Sequence, residues 1–278
     1  MLKLGEDNIL KVDRETSVGM FLTDGEGNDV LLPNKYVYED TKIGDEITVF
    51  VYLDSEERIV ATTLEPKIKL HEFAYLRAKE TTEFGTFMNW GLEKDLFVPF
   101  REQNNSLEKG KLYVVYMYLD EQTNRLVGST RIDKYLEQEN IELEEGQEVE
   151  VFFTGQGDLG WNVIIDDKYK GLVYFNEIFQ EVRPGDYSAG FVKKIREDNK
   201  IDISLRKYGY EGIEPFAIEI LDELTAHSGF LPLNDKSSPE EIKVRFEMSK
   251  KAFKKAIGSL YKKKMINIKD DGIYLNNE

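Results

Sequence analysis

One glycine-centred pattern occurs three times in this chain, and its spacing restricts the fold to a tandem of small units. Val18-Gly19-Met20-Phe21-Leu22, Phe84-Gly85-Thr86-Phe87-Met88 and Leu159-Gly160-Trp161-Asn162-Val163 align on the glycine. Each is followed by a polar turn and a second apolar segment: Asp29-Val30-Leu31-Leu32-Pro33, Asp95-Leu96-Phe97-Val98-Pro99 and Gly171-Leu172-Val173-Tyr174-Phe175. A turn glycine then opens a third segment, at Gly44, Gly110 and Gly185, and a fourth begins at Arg58, Arg125 and Lys200. From the first copy to the second these landmarks move by 66, 66 and 67 residues; from the second to the third, all three move by 75. Separated landmarks stay in register in this way when each copy is one structural unit repeated along the chain.

Each copy is about 65 residues of short β-branched and aromatic segments between Gly, Asp and Asn turns, which spells strands. Five such strands closed on themselves form a small barrel, because closure removes exposed strand edges. Residues 1–66, 68–136 and 140–207 are therefore expected to form closely similar five-stranded barrels. Residues 137–150 hold seven acids and read as the acidic entry to the third. After residue 207 the period changes. Residues 214–228 place Phe216, Ile218, Ile220, Leu221 and Leu224 among acids, as in an amphipathic helix. Ser238-Pro239-Glu240-Glu241 reads as a helix start, with a serine cap, proline in the first turn and acids at the positive end of the dipole. Ser249 caps a third helix to about Lys263, and Asp270-Asp271 turns a two-stranded hairpin between residues 265–269 and 272–275. Three helices and a hairpin over 212–278 make a winged-helix domain. The expected fold is mainly β with an α+β tail.

The chain has 278 residues and a net charge of −16, which argues against a phosphate-binding protein unless cations are concentrated locally. They are. Residues 1–68 carry 7 basic and 15 acidic groups, but residues 248–269 carry eight lysines and no acid. There is no cysteine, so disulfides, thiolate metal sites and cysteine nucleophiles are excluded. The first fifteen residues contain no continuous apolar signal segment, and no apolar run reaches the ~18 residues that span a bilayer. The chain is expected to be soluble and cytoplasmic, without contact to membrane.

The run of glycine, aromatic, apolar strand, Gly-Leu-Val-Tyr, Gly-Asp and Lys-Ile-Asp-Ile-Ser-Leu-Arg resembles the RNA-binding domain first described in ribosomal protein S-one. Three such domains with a lysine-rich winged helix are similar to the conserved virulence factor B family of Gram-positive bacteria. The segment Met248-Ser249-Lys250-Lys251-Ala252-Phe253-Lys254-Lys255-Ala256-Ile257-Gly258 carries the most specific part of that likeness. The resemblance implies OB-fold barrels of the S-one type, RNA binding, and a post-transcriptional influence on gene expression that includes virulence genes. It implies neither an enzyme nor a cofactor. The family pattern has an aromatic before the glycine, another two residues after it, and a His or aromatic after Gly-Leu-Val. The first copy has Val18, Phe21 and Leu32 at these places, the second Phe84, Phe87 and Val98, the third Leu159, Asn162 and Tyr174.

Phe84 and Phe87 bracket a glycine where a bulge would turn both rings onto one face as a base-stacking platform; otherwise they pack in the barrel core. Phe21 and Tyr174 carry the same two readings. Lys193, Lys194, Arg196, Lys200, Arg206 and Lys207 crowd the last hairpin of the third copy, as a phosphate track or as a solvated hairpin neutralised by Glu197, Asp198 and Asp202. The helix after Ser249 places Lys250, Lys251, Lys254 and Lys255 opposite Phe253, Ala256, Ile257 and Leu260, for a nucleic-acid groove or for solubility alone. Gly155-Gln156-Gly157-Asp158-Leu159-Gly160 spells a dinucleotide fingerprint, but a strand pattern follows where a helix is required, so it is a turn. His71 and His227 have no metal-ligand or triad spacing, and neither a metal site nor a catalytic residue is expected. Single-stranded RNA is the leading partner. DNA read by the winged helix and a protein-interaction scaffold are the alternatives, and a nuclease is disfavoured for want of metal ligands. Both basic clusters lie after residue 140, so that half is expected to hold most of the RNA affinity.

Overall fold

The first repeat folds as β1 (Asp7–Thr16), β2 (Gly19–Thr23), β3 (Asp29–Pro33), β4 (Glu46–Leu53) and β5 (Ile59–Thr62). The second comprises β6 (Phe73–Thr81), β7 (Gly85–Asn89), β8 (Leu96–Pro99), β9 (Leu112–Asp120) and β10 (Arg125–Ser129). The third comprises β11 (Glu148–Gln156), β12 (Gly160–Ile165), β13 (Tyr169–Tyr174), β14 (Tyr187–Ile195) and β15 (Ile201–Ser204). This computed structural model describes residues 2–178, 181–206 and 215–276, in two compact units, Met1–Leu205 and Arg206–Glu278.

All three repeats close as barrels with the same circular order, first-second-third-fifth-fourth. The third and fifth strands run parallel, with Leu31 opposite Val60, Phe97 opposite Val127 and Val173 opposite Ile203. The first strand of each barrel, which the sequence landmarks had not marked, is the long one that closes the sheet. In β1 the residues Asp7–Lys11 pair with β4, and Lys11–Thr16 pair with β2. One strand can serve two neighbours in this way because it bends at a bulge. The bulge falls between Val12 and Arg14, between Ala78 and Glu80, and between Phe153 and Gly155. The bulged residues Asp13, Lys79 and Thr154 are thus spaced by 66 and 75, the same shifts as the glycines.

The bulge expected at the repeat glycine therefore lies on the opposing strand. The glycine has another task, close approach. A Cβ on Gly19, Gly85 or Gly160 would sit 2.1, 2.4 or 2.1 Å from the carbonyl oxygen of Leu32, Val98 or Val173 on the next strand. Only hydrogen fits there.

Each barrel has its own core, with Leu22, Val30, Leu32 and Val51 in the first and Trp161, Val163, Val173 and Ile203 in the third. Neighbouring barrels also share apolar contacts. Phe50 and Tyr52 of β4 meet Trp90 edge-on, with ring centroids 5.8 and 6.2 Å apart. Between the second and third barrels, Phe73, Tyr116, Leu136, Phe152 and Ile164 form a separate cluster, and the Tyr187 hydroxyl donates to the Phe73 carbonyl at 3.0 Å. Side chains of this size gain roughly 1.5–3 kcal/mol each on burial, which is enough to hold consecutive barrels against one another.

The second unit contains α1 (Pro215–Ala226), β16 (Phe230–Leu231), α2 (Pro239–Phe246), α3 (Lys250–Lys262), β17 (Ile266–Lys269) and β18 (Gly272–Leu275). Ser238 caps α2 as expected, and Glu241 makes the cap reciprocal by accepting from the Ser238 N–H; Ser249 caps α3 by accepting from the Ala252 N–H. The hairpin β17–β18 gains a third strand, β16, too short to register as a sequence pattern. Ile220, Leu221, Leu224, Phe253, Ile257 and Leu260 fill the core, which fixes the lysine face of α3 outward. The chain is mainly β, three OB-fold barrels of S-one type followed by a winged helix. Lys207 and Glu214 lie outside the described residues.

Candidate nucleic-acid interface

The close approach at the repeat glycine leaves the residue before it on the outside of the barrel. Val18, Phe84 and Leu159 are 58%, 71% and 63% exposed, large apolar side chains held in water at the same place three times. Two residues past the glycine, Phe21, Phe87 and Asn162 are half-buried. The core alternative is therefore excluded for Phe84, and the three barrels differ in what surrounds this position.

In the second barrel the surroundings are aromatic and open. Phe87 pairs across the sheet with Phe97, and their ring centroids lie 5.1 Å apart at 45°. Phe84, Phe87 and Phe97 line one side of a cavity of roughly 730 Å³. Lys94, Arg125 and Trp90 also line it. Burial lowers the Lys94 ammonium below the ordinary lysine range, and its Nζ donates to the Asp54 carbonyl at 2.7 Å. Arg125 pairs with Glu57.

The third barrel presents charge that is already paired. Arg196 donates to both Asp202 oxygens, at 3.0 and 2.7 Å, and also to the Tyr174 hydroxyl. Lys193 reaches Glu177 at 2.5 Å, and Glu177 also accepts from the Ser204 hydroxyl at 2.8 Å. Lys200 pairs with Asp198 at 2.6 Å. Arg206 has a partner too, while Lys194 is exposed. The neutralising acids foreseen for this hairpin thus include Asp198 and Asp202, with Glu177 added from a 3-10 turn, Phe175–Glu177, after β13.

The strand register corrects one alignment. Tyr174 lies opposite Gly160, and the residues opposite Gly19 and Gly85 are Pro33 and Pro99. Leu32 and Val98, matched to Tyr174 by sequence, are core residues equivalent to Val173. The slip of one residue exchanges the two faces of a strand. The next positions carry Phe100 and Phe175, each 48% exposed, which the sequence reading passed over along with Phe97, Lys94 and Arg125. Their signal was present as aromatic and basic residues in or beside the landmarks, but it needed cross-strand pairing to acquire meaning.

The first barrel has the most enclosed position. The Arg14 guanidinium covers the Phe21 ring at 4.2 Å and is itself held by Asp13 and Asp29, each at 2.7 Å. Base stacking on Phe21 would have to displace this cation.

On α3, Lys251, Lys254 and Lys255 are exposed, and Lys250 is half-buried with its Nζ donating to the Lys236 carbonyl at 3.3 Å. Lys255 has a partner; among the described residues, Lys251 and Lys254 meet no carboxylate. His71 bonds the Tyr116 hydroxyl, and His227 bonds the Glu223 carbonyl and Arg245. Among the described residues no group of three or more potential ligands is placed to hold a metal ion, and no helix is long and apolar enough to cross a membrane.

Comparison with known proteins agrees with this architecture. A family model described as an S1 domain matches residues 4–64, and one described as a CvfB-like winged helix domain matches residues 219–275. Both describe modules of nucleic-acid-binding type and not catalytic ones. The protein named YitL of Bacillus subtilis, called uncharacterized, is 31% identical over 274 residues, spanning 94% of this chain and 90% of that protein. Conserved virulence factor B of Staphylococcus epidermidis is 28% identical over 248 residues, 86% of this chain and 83% of the other. The crystal structure of a multidomain protein with nucleic acid binding domains from Streptococcus pneumoniae covers 98% of both chains at 25% identity, with a TM-score of 0.42.

Proposed function

We propose that this chain, which belongs to the conserved virulence factor B family, binds single-stranded RNA and acts as a post-transcriptional regulator of gene expression, virulence genes included. The observation that carries the reading is Phe84, a phenylalanine left 71% exposed beside the Phe87–Phe97 pair with Lys94 and Arg125 at hand. Exposed rings are tolerated where a base covers them, and each stacked base is worth ~1–3 kcal/mol whatever its identity. The cations supply the accompanying phosphate contacts. Linked barrels add their contributions through effective concentration, so a modest site on each gives useful affinity.

A second reading, duplex DNA bound by the winged helix, is favoured by the lysine face of α3. Lysines at these positions supply charge, and the helix offers no Arg, Asn or Gln for base readout. Fluorescence anisotropy of the full chain with single-stranded RNA, single-stranded DNA and duplex DNA at two salt concentrations separates the two. The RNA reading requires the single-stranded RNA to bind tightest at the higher salt. Preference for the duplex would overturn it.

A further inference from the structure

The cavity in front of Phe84 is not built by the second barrel alone. Its far wall is the β4–β5 hairpin of the first barrel, which contributes Tyr52, Leu53, Ser55 and Glu57. That hairpin is braced across its turn by Asp54. Asp54 accepts from the Glu56 and Arg58 N–H groups at 2.9 and 3.0 Å, and its second oxygen takes the Arg58 Nε at 2.8 Å. Two contacts cross the mouth between barrels, Lys94 to the Asp54 carbonyl and Arg125 to Glu57. The result is a pocket of roughly 730 Å³ lined by the rings of one barrel, the hairpin of the other and two cations. Pockets of about 300–1,000 Å³ with apolar walls and a few polar groups suit small ligands.

We infer that the first and second barrels together form a pocket for one nucleoside-phosphate unit, which both of them must line. The base enters against Phe84 and the Phe87–Phe97 pair, and its phosphate takes the Arg125 guanidinium from Glu57. Glu57 thus occupies in the free protein the place of the ligand's anion. The chemistry follows from the walls: a planar aromatic ligand satisfies the rings, and an attached anion satisfies an arginine that is otherwise held by an exposed carboxylate. This inference rests on the nucleic-acid reading above and deepens it by assigning a role to the first barrel, whose own ring position is covered by Arg14. The nucleoside phosphate comes either from a strand or from a free nucleotide.

The test uses the full chain, adenosine 5′-monophosphate and an eight-nucleotide oligoadenylate as probes, three pocket variants and Phe84→Ala as the reference for stacking. Ser55→Trp fills the pocket from the first barrel; Glu57→Gln releases Arg125; Arg125→Gln removes the anion contact. All three positions are exposed, so melting temperatures stay close to the parent's. Binding weakens about tenfold in Ser55→Trp and Arg125→Gln and strengthens severalfold in Glu57→Gln, on the scale of one stacked base or one charge-assisted contact. Response of both probes identifies a pocket open to free nucleotides; response of the oligomer alone identifies a strand site; either supports the inference. If Ser55→Trp and Glu57→Gln bind the oligomer as the parent does while Phe84→Ala loses it, the inference fails and the function stands. If the parent binds adenosine monophosphate and no oligomer, the pocket stands and the RNA reading fails.

Discussion

The second and third barrels share a strand order, a bulge and a glycine contact, yet they face solvent in opposite ways. The second shows rings, with Phe84 exposed beside Phe87 and Phe97. The third shows cations, but Arg196, Lys193 and Lys200 are each engaged by a carboxylate at 2.5–2.7 Å. A phosphate arriving at the third barrel competes with Asp202 and Glu177 for partners already won; a base arriving at the second meets uncovered aromatic surface. Counting charge along the chain favours the half after residue 140. Arg125 of the second barrel is paired too, with Glu57, so charge left over after folding does not separate the two barrels; the exposed ring of Phe84 does.

The shared frame is tested by the largest effect. Gly160→Ala places a methyl 2.1 Å from the Val173 carbonyl, and Gly85→Ala places one 2.4 Å from that of Val98. Each should destabilise its own barrel by about 3 kcal/mol or more, seen as faster amide exchange in that barrel. A melting profile unchanged by Gly160→Ala would break the equivalence.

A smaller effect belongs to the junction between the two barrels. Burial, then Glu72, Glu150 and Asp166, raise the Asp167 carboxyl to about 6 from an ordinary 3.8, against one backbone hydrogen bond from Phe73. The folded state therefore holds a proton that the unfolded state releases. The contribution of Asp167 to stability is greatest below about pH 4, declines as pH rises toward 6 and is flat above, by about 1 kcal/mol once solvent screening is allowed for. Asp167→Asn should abolish this component of the pH–melting curve; an identical curve for parent and variant would show that Asp167 does not titrate at the junction.

Asp202→Asn frees Arg196 in the third barrel. Thermal melts should show a loss of stability, and RNA affinity should rise a few fold, on the order of one phosphate contact. Unaltered affinity would mean that Arg196 is structural in both states. The smallest effect is expected from α3. Replacing Lys250, Lys251, Lys254 and Lys255 by Ala leaves Phe253, Ile257 and Leu260 in the core. It should flatten the slope of log affinity against log salt by ~0.7 for each of Lys251 and Lys254 that touches a single-stranded phosphate. A quadruple variant that stays folded and keeps the parental slope marks them as surface.

Much of the frame was legible because repetition made it so. Gly19, Gly85 and Gly160 announced the barrels, and Ser238 and Ser249 announced helix starts, since capping needs those side chains locally. The face of each barrel was less legible. Tyr174 pairs with Gly160, and its equivalents are prolines, a fact set by cross-strand register and invisible in a linear alignment. The bulge at Asp13, Lys79 and Thr154 carries no residue signature. Glu177 meets Lys193 across 16 residues, and Trp90 meets Phe50 and Tyr52 across a barrel boundary; such contacts arise only after closure.

The central claim, that the second barrel is the principal single-stranded RNA face, is tested most directly by one pair of variants. Phe84→Ala/Phe87→Ala and Tyr174→Ala/Arg196→Ala are compared in the full chain against one single-stranded RNA at fixed salt. With each stacked base worth ~1–3 kcal/mol, the first variant should lose at least about tenfold in affinity and the second only a few fold. The reverse order, with the third-barrel variant suffering the larger loss, would contradict the account.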